Sequence, residues 1–435
     1  MKNALLFGVA MLAVGGGESG RWGTPVQLLG ITVGRGFRTS ARIAAAGRGQ
    51  AMAVWAEPLD GIGAHHRVQY STFEPGRGWQ AAQTITAATT EDLHPLDLSL
   101  AMNDAGEAAL ALLDQRGLSV IRYARERGWF ELRWPFATGR LTNLRVAIGQ
   151  DGTVVVLWTE PLQEPPQLYA SRFSPVSGWG NAEVISSSRE PSFQPGIGSV
   201  DVAVDARGNA VATWIQSIWN PYSQSSVWTS HAENGSPWSS AERIEDGLDY
   251  PEAVLGGNNR GEAIVAWRRN DLRVSRFRDG IWTEPLSIAE PRFEAARSEP
   301  AIGDSGDGMV VWLNYDEPDA EPSAVEAVRF DHRKRGWSRP QALPLPAAGV
   351  RTADQQVPGG VVVDGDGNAT VVWSGKPGIV AYRYESGLGW SEPQLVGVTN
   401  PFSEVMLGVD GVGNVVVLWV ALDGIWVNRF ETSPR

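Results

Sequence analysis

Cysteine is absent from the 435 residues, which excludes disulfides, thiolate metal sites and cysteine nucleophiles. HExxH, GxSxG and P-loop patterns are missing too, and with them the usual signatures of zinc proteases, serine hydrolases and nucleotide phosphate binding. Basic charge is scarce. A formal net charge of -12 and a pI near 5.0 argue against a nucleic-acid backbone or an anionic membrane as partner, since both require a basic face. Helical periodicity is hard to find anywhere. The apolar run from Ala4 to Val14 is too short to span a bilayer. Preceded by Lys2 and followed by Gly15, Gly16 and Gly17, it has the layout of a secretory leader, so a secreted or periplasmic location is expected, without a lipidated cysteine.

What the chain has in abundance is glycine (50) and tryptophan (19), and both recur in register. The stretch Val200 to Trp214, VDVAVDARGNAVATW, shows period-two alternation on either side of a tight turn, the pattern of a β-hairpin. Asp205 is placed to accept backbone N–H bonds, Gly208 to adopt a left-handed conformation and Asn209 to restart the strand. The pivot glycine recurs at Gly49, Gly106, Gly152, Gly208, Gly261, Gly306, Gly367 and Gly413. Six residues later stand Trp55, Leu112, Trp158, Trp214, Trp267, Trp312, Trp373 and Trp419. Each buried indole removes about 150–250 Å² from water, or roughly 4–6 kcal/mol before entropy is subtracted.

Two further elements repeat. One is headed by tryptophan, as in WGTPVQL at Trp22, WTEPLSI at Trp282 and WSEPQLV at Trp390. The other ends in an arginine-aromatic pair, as in LYASRF (Leu168 to Phe173) and IWVNRF (Ile425 to Phe430). With the hairpin strands as A and B, the arginine strand as C and the Trp-Pro strand as D, each repeat holds four strands. The chain opens with a lone D strand at Trp22 and closes with an A-B-C set lacking its D, so the two ends are expected to complete one sheet. Repeats of this length predict an all-β, eight-bladed β-propeller of four-stranded antiparallel blades, closed by the N-terminal strand. The expected division is a leader-like segment over residues 1–20 and a single propeller over 21–435.

The WxxPxxI and DxxGNAxxxW repeats resemble the Trp-rich repeats of bacterial β-propeller proteins of unassigned function, and more distantly the sialidase-like propellers with Asp-boxes. The Asp-box S-x-D-x-G-x-T-W is matched nowhere. The resemblance therefore implies the fold and brings over no site residue.

In such a blade the A-B and C-D turns share one face, and the B-C and D-A connections share the other. The second face carries the variable loops, where function is expected. Its most distinctive segment is IQSIWNPYSQSSVW in blade four, with Trp219, Asn220, Tyr222 and Trp228 as candidate ligand-binding residues; Gln224 and Ser225 add hydrogen-bonding capacity. Trp134, Trp219, Trp228 and Trp426 are the tryptophans outside the repeated B and D positions. The alternative for Trp219 and Trp228 is packing on their own blade.

Seven residues before each pivot stand Arg42, Ser99, Arg145, Asp201, Val254, Glu299, Gly360 and Met406. Arg42, Arg145, Asp201 and Glu299 are candidate ligand contacts at the channel mouth. If the protein is an enzyme, Asp201, Glu252 and Glu299 are the candidate acid/base residues. Solvated, mutually paired rim charges are the alternative.

The strand C arginines, Arg122, Arg172, Arg276, Arg329, Arg383 and Arg429, recur too often to be catalytic and read as scaffold. DGDGN (Asp364 to Asn368) and DSGDG (Asp304 to Gly308) lack the distal acid of a calcium loop and read as hairpin turns. His65 and His66 read as exposed loop residues. No metal or cofactor is expected. These features support a propeller that binds a carbohydrate or protein ligand on its variable face; a glycoside hydrolase or lyase using mouth carboxylates and a structural scaffold stand as alternatives.

Overall fold

The computed structural model describes residues 20–30, 40–47, 49–58, 65–91, 97–114, 117–132, 141–160, 165–186, 193–219, 223–248, 252–290, 298–315, 322–343, 358–374, 378–398 and 404–433. The leader-like segment up to residue 19 lies outside them. Eight antiparallel sheets each run A-B-C-D. In blade four A is Phe193–Val204, B is Ala210–Trp219, C is Ser223–Ala232 and D is Glu242–Leu248. Each A strand packs on the A strand of the next blade, and that of blade eight (Val405–Val409) packs on that of blade one (Ala41–Ala46). The ring is closed, and the fold is an eight-bladed β-propeller. Among the described residues no helix is long and apolar enough to cross a membrane.

Closure uses the two chain ends. Strand C of blade eight (Gly424–Thr432) pairs with the first strands of the chain, Trp22 opposite Phe430, Val26 opposite Val427 and Gln27 opposite Trp426. In most blades strand D is broken after its tryptophan. In four of them a proline stands in the gap, at Pro25, Pro285, Pro340 and Pro393, and a residue without an N–H cannot continue the ladder. The break blunts the outer edge of the blade.

The A-B turns show why one pattern recurs. Asp205 Oδ1 accepts the N–H groups of Arg207 and Asn209, both at 2.8 Å, and its Oδ2 accepts from the Asn209 side chain at 2.8 Å. The pivot glycines all hold positive φ, from 78° at Gly261 to 99° at Gly49, a region costly for any residue with a Cβ. Blades two and five exchange the acid and amide. Asn258 Oδ1 takes the N–H groups of Arg260 and Glu262, and the carboxylate has moved to Glu262; Asn103 and Glu107 repeat this exchange. In DGDGN, Asp364 is occupied by Asp366 N, Asn368 N and the Asn368 amide, which is hairpin chemistry.

The hydrophobic core is divided among the blade interfaces, with a cluster between each consecutive pair of blades. Every strand B tryptophan points toward the preceding blade, and all seven are at most 2% exposed; Leu112 fills the blade-two position. The strand D tryptophans are half-buried and pack edge-on against the strand C aromatic, as Trp79 does on Phe73 and Trp337 on Phe330. Of the two repeated tryptophan positions, only the strand B one is fully buried in the core.

The recurrent arginines face the opposite way. Arg122, Arg276, Arg329, Arg383 and Arg429 each lie over the strand C aromatic of the following blade, the last closing the circle over Phe73. Four of them also pair with a turn acid of their own blade: Arg122 with Glu107, Arg329 with Asp307, Arg383 with Asp364 and Arg429 with Asp410. Burial pulls the Arg172, Arg276 and Arg383 guanidiniums below the ordinary arginine value, against nearby acids that hold them up. Indoles wedge backward and guanidiniums reach forward, so each blade is keyed to both neighbours.

Candidate functional site at the mouth of blades three to five

Two strand A irregularities shape the channel mouth. In blades three and four the ladder slips, between Thr142 and Arg145 and between Gly198 and Asp201. The slips are β-bulges that place Asn143 (φ 56°) and Ser199 (φ 44°) in the left-handed region. Such conformations cost about 1–3 kcal/mol each outside glycine and persist where surrounding contacts impose them. Asn143 is so held: its side-chain amide donates to Ile197 O of blade four at 2.9 Å and to Thr159 Oγ1 at 3.0 Å.

Directly after each bulge stand Arg145 and Asp201, and the structure brings them together. Arg145 Nε donates to Asp201 Oδ1 at 3.0 Å, while Asp201 Oδ2 accepts Leu255 N of blade five at 3.3 Å. Asp201 thereby ties three blades at the mouth, with both oxygens engaged. Arg145 Nη1 is spent on Leu144 O. Arg42 similarly faces Glu404 of blade eight at 3.6 Å. Ser99 Oγ accepts Val146 N, joining blades two and three. Glu299 begins strand A of blade six, half-buried, and Glu252 is exposed just ahead of strand A of blade five. The mouth charges whose partners are resolved are paired between blades.

Blade four stands taller than its neighbours. Its A strand has 12 residues and its B and C strands 10 each, where other A strands have between four and seven. The segment from Ile215 to Val227 is therefore not an open loop. It is a hairpin paired out to Trp219 opposite Ser223, with Ser217 and Ser225 bridged at 2.8 Å. Asn220 and Tyr222 lie outside the described residues, and of Trp219 only the backbone is described.

Trp228 is a correction: it is 9% exposed, sits opposite Trp214 in the ladder and joins the core between blades three and four, so it offers no open stacking face. His66 is another correction. It is 7% exposed within strand C of blade one (His65–Glu74), not on a loop.

A charge cluster centred on one buried carboxylate, at the outer side of this sector, has no counterpart among the residues singled out from the sequence. Glu245 on strand D of blade four is 8% exposed. It receives the Trp267 indole N–H at 2.9 Å, Arg269 Nη1 at 2.9 Å and Arg273 Nη1. Trp267 is set apart by this bond, since the indole N–H groups of Trp55, Trp214, Trp312, Trp373 and Trp419 are buried without a hydrogen-bond partner. The cluster borders a polar cleft of about 410 Å³ that also reaches Arg243, Asp246 and Glu284. The available signal was the charge run Arg268, Arg269, Asp271 and Arg273 in an otherwise short B-C connection.

No protein-family model matches the chain, and no curated protein matches it in sequence. Its likeness to Trp-rich bacterial propellers therefore rests on the repeats alone. Solved structures give distant likenesses. A puromycin hydrolase variant is 15% identical, with 89% of this chain and 59% of that one covered and a TM-score of 0.46. The fucose-specific lectin from Aleuria aurantia is 13% identical, with 71% and 97% covered and a TM-score of 0.37. An α-L-arabinanase from Penicillium chrysogenum is 16% identical, with 67% and 93% covered and a TM-score of 0.38.

Proposed function

We propose that this propeller binds a neutral carbohydrate at the mouth sector of blades three to five. The observation that supports this most is the Arg145–Asp201 pair, with both carboxylate oxygens engaged by donors from neighbouring blades. A carboxylate so occupied is suited to hold a guanidinium in place, and poorly suited to deliver a proton as a glycosidase acid. The Arg145–Asp201 pair is charge-compensated, and the blade-four hairpin above it is neutral and polar, with Gln224 exposed and Ser217 half-buried. Hydroxyl patterns are read by such groups. The leader-like first 20 residues support export, which places a glycan ligand within reach.

The test is a glycan array probed with the purified protein, followed by titration of the strongest ligand against Arg145→Ala. The expected result is at least about a tenfold loss of affinity with an unchanged melting profile. Unchanged affinity would remove the mouth from the site. Release of new reducing ends from the ligand, abolished by Asp201→Asn, would make the protein a glycoside hydrolase instead.

A further inference from the structure

The opposite face, which carries the A-B and C-D turns, holds a repeated feature that the mouth does not use. Between blades six and seven a cleft of about 300 Å³ is walled by Trp337, Tyr384 and Trp390, with Arg329 and Asp331 at its polar end. Between blades eight and one a cleft of about 440 Å³ is walled by Trp22, Phe73 and Trp79, with Arg429 and Glu431 at its polar end. These residues are equivalent in the repeat. Each set consists of the strand D tryptophan of one blade, its strand C arginine and the acid two residues later, and the strand C aromatic and strand D tryptophan of the following blade.

The complete set of five is rare around the ring. It is broken by Thr72 after blade one, by Ala124 after blade two and by Ser174 with Ala232 after blade three. After blade four His231 replaces the arginine, and after blade five Arg278 replaces the acid. It is complete at three consecutive interfaces: six to seven, seven to eight (Trp390, Arg383, Glu385, Phe430, Trp22) and eight to one. Blades two, three and five fold without the acid, although in blade six Asp331 also accepts the Arg333 and Lys334 N–H groups of its turn. Five of eight interfaces manage with a partial set, so retention of all five on one arc calls for another reason.

We infer that this arc is a row of equivalent saccharide subsites, distinct from the mouth. The chemistry favours a neutral sugar ring. Indole and phenyl walls match the C–H face of a pyranose, and the arginine-acid end supplies a donor and an acceptor for neighbouring hydroxyls. Each strand C guanidinium is already neutralised, Arg329 by Asp307 and Asp331, Arg429 by Asp410 and Glu431, which leaves only the outlying Lys334 and Arg21 to attract an anionic ligand. A peptide added as a further strand is disfavoured, because strand D is interrupted after Trp22, Trp337 and Trp390. Equivalent subsites on one face also permit multivalent attachment, in which weak sites combine into a strong grip.

The experiment is ligand-observed saturation-transfer NMR on the full chain with the methyl glycosides of glucose, galactose, mannose and fucose. Affinity is then measured for Asp331→Asn, Glu385→Gln and Glu431→Gln together, so that all three subsites are changed. Each change keeps the side-chain shape, and Asp331→Asn keeps an acceptor for the Arg333 and Lys334 N–H groups; an unchanged melting temperature checks the fold. Glu126→Gln, on the same face at an interface with an incomplete set, is the control. The expected result is saturation transfer from at least one glycoside, a loss of about tenfold or more in the triple variant and no change in the control. Transfer from none of the four, or affinity equal in the triple variant and the parent, overturns the inference.

Discussion

At the scale of single residues the tryptophans separate by strand. Trp373 is 2% exposed in the interface of blades six and seven, so Trp373→Ala is expected to cost about 3–5 kcal/mol as a cavity-forming change; a loss below about 1 kcal/mol by urea titration would refute the wedge role. Nearby, burial pushes the Tyr382 phenol up to about 12 from 10.0. A raised folded-state pKa means that the stabilising term is complete below pH 10 and is lost as pH climbs toward 12. Two pKa units correspond to about 2–3 kcal/mol. Tyr382→Phe should therefore flatten the fall in unfolding free energy between pH 9 and 12 relative to the parent, and equal slopes would refute this. The strand B wedges were legible because seven of them stand at one offset from a glycine. Trp228 and Trp426 were not, because their partner is across the ladder: they oppose Trp214 and Trp419, as Tyr169 opposes Trp158. In the last two cases the rings are stacked, 6.5 Å apart at 11° for Trp419 with Trp426 and 5.6 Å at 10° for Trp158 with Tyr169. A cross-strand position shared by a few blades leaves little periodic trace.

At the scale of elements the A-B turn carries more than its own geometry. Asp410 accepts Val412 N, Asn414 N and the Asn414 amide, and pairs with Arg429 at 3.1 Å. Its carboxylate is fully buried, and removing it would strand both the turn donors and a guanidinium 8% exposed. Asp410→Ala is expected to cost about 3–5 kcal/mol, the range for breaking a buried pair from one side. Asp410→Asn keeps an acceptor for the turn and should cost less; equal losses would mean that the turn contacts contribute little. The turn itself was readable from the D-x-x-G-N spacing. Its link to strand C was not, because the acid stands at the first position in DxxGN and the fifth in NxxGE, and only the fold shows that both reach the same arginine. The blade-four hairpin failed in the other direction. Its segment IQSIWNPYSQSSVW read as a variable loop, whereas ten-residue strands carry the ladder out to Trp219 opposite Ser223. The bulges at Asn143 and Ser199 had no sequence signal, since neither residue is glycine and the constraint comes from the adjoining blade.

At the scale of the molecule the stability problem is closure. Eight interface clusters replace one central core, so the ring has no interior to fall back on if one interface opens. The interface between blades eight and one depends on a strand from the far end of the chain, with Gly20 opposite Thr432 and Trp22 opposite Phe430. The chain break thus occupies the place of the C-D turn that other blades keep intact. Two variants separate the consequences. Deleting residues 1–30 removes strand D of blade eight and uncovers strand C along its length, leaving an edge able to pair with other chains. That protein should melt well below the parent and self-associate at micromolar concentration, by thermal denaturation and gel filtration. A circular permutant that joins Thr432 to Gly20 through a short C-D-like turn, with new termini in the connection between Ala289 and Ser298, keeps every strand pairing and removes only the break. It should melt within a few degrees of the parent or above it, since the loop entropy at stake is small. A deletion variant that remains monomeric with an unchanged melting temperature would show that the first strand is dispensable and that the backward wedge of Trp55 against blade eight closes the ring without it.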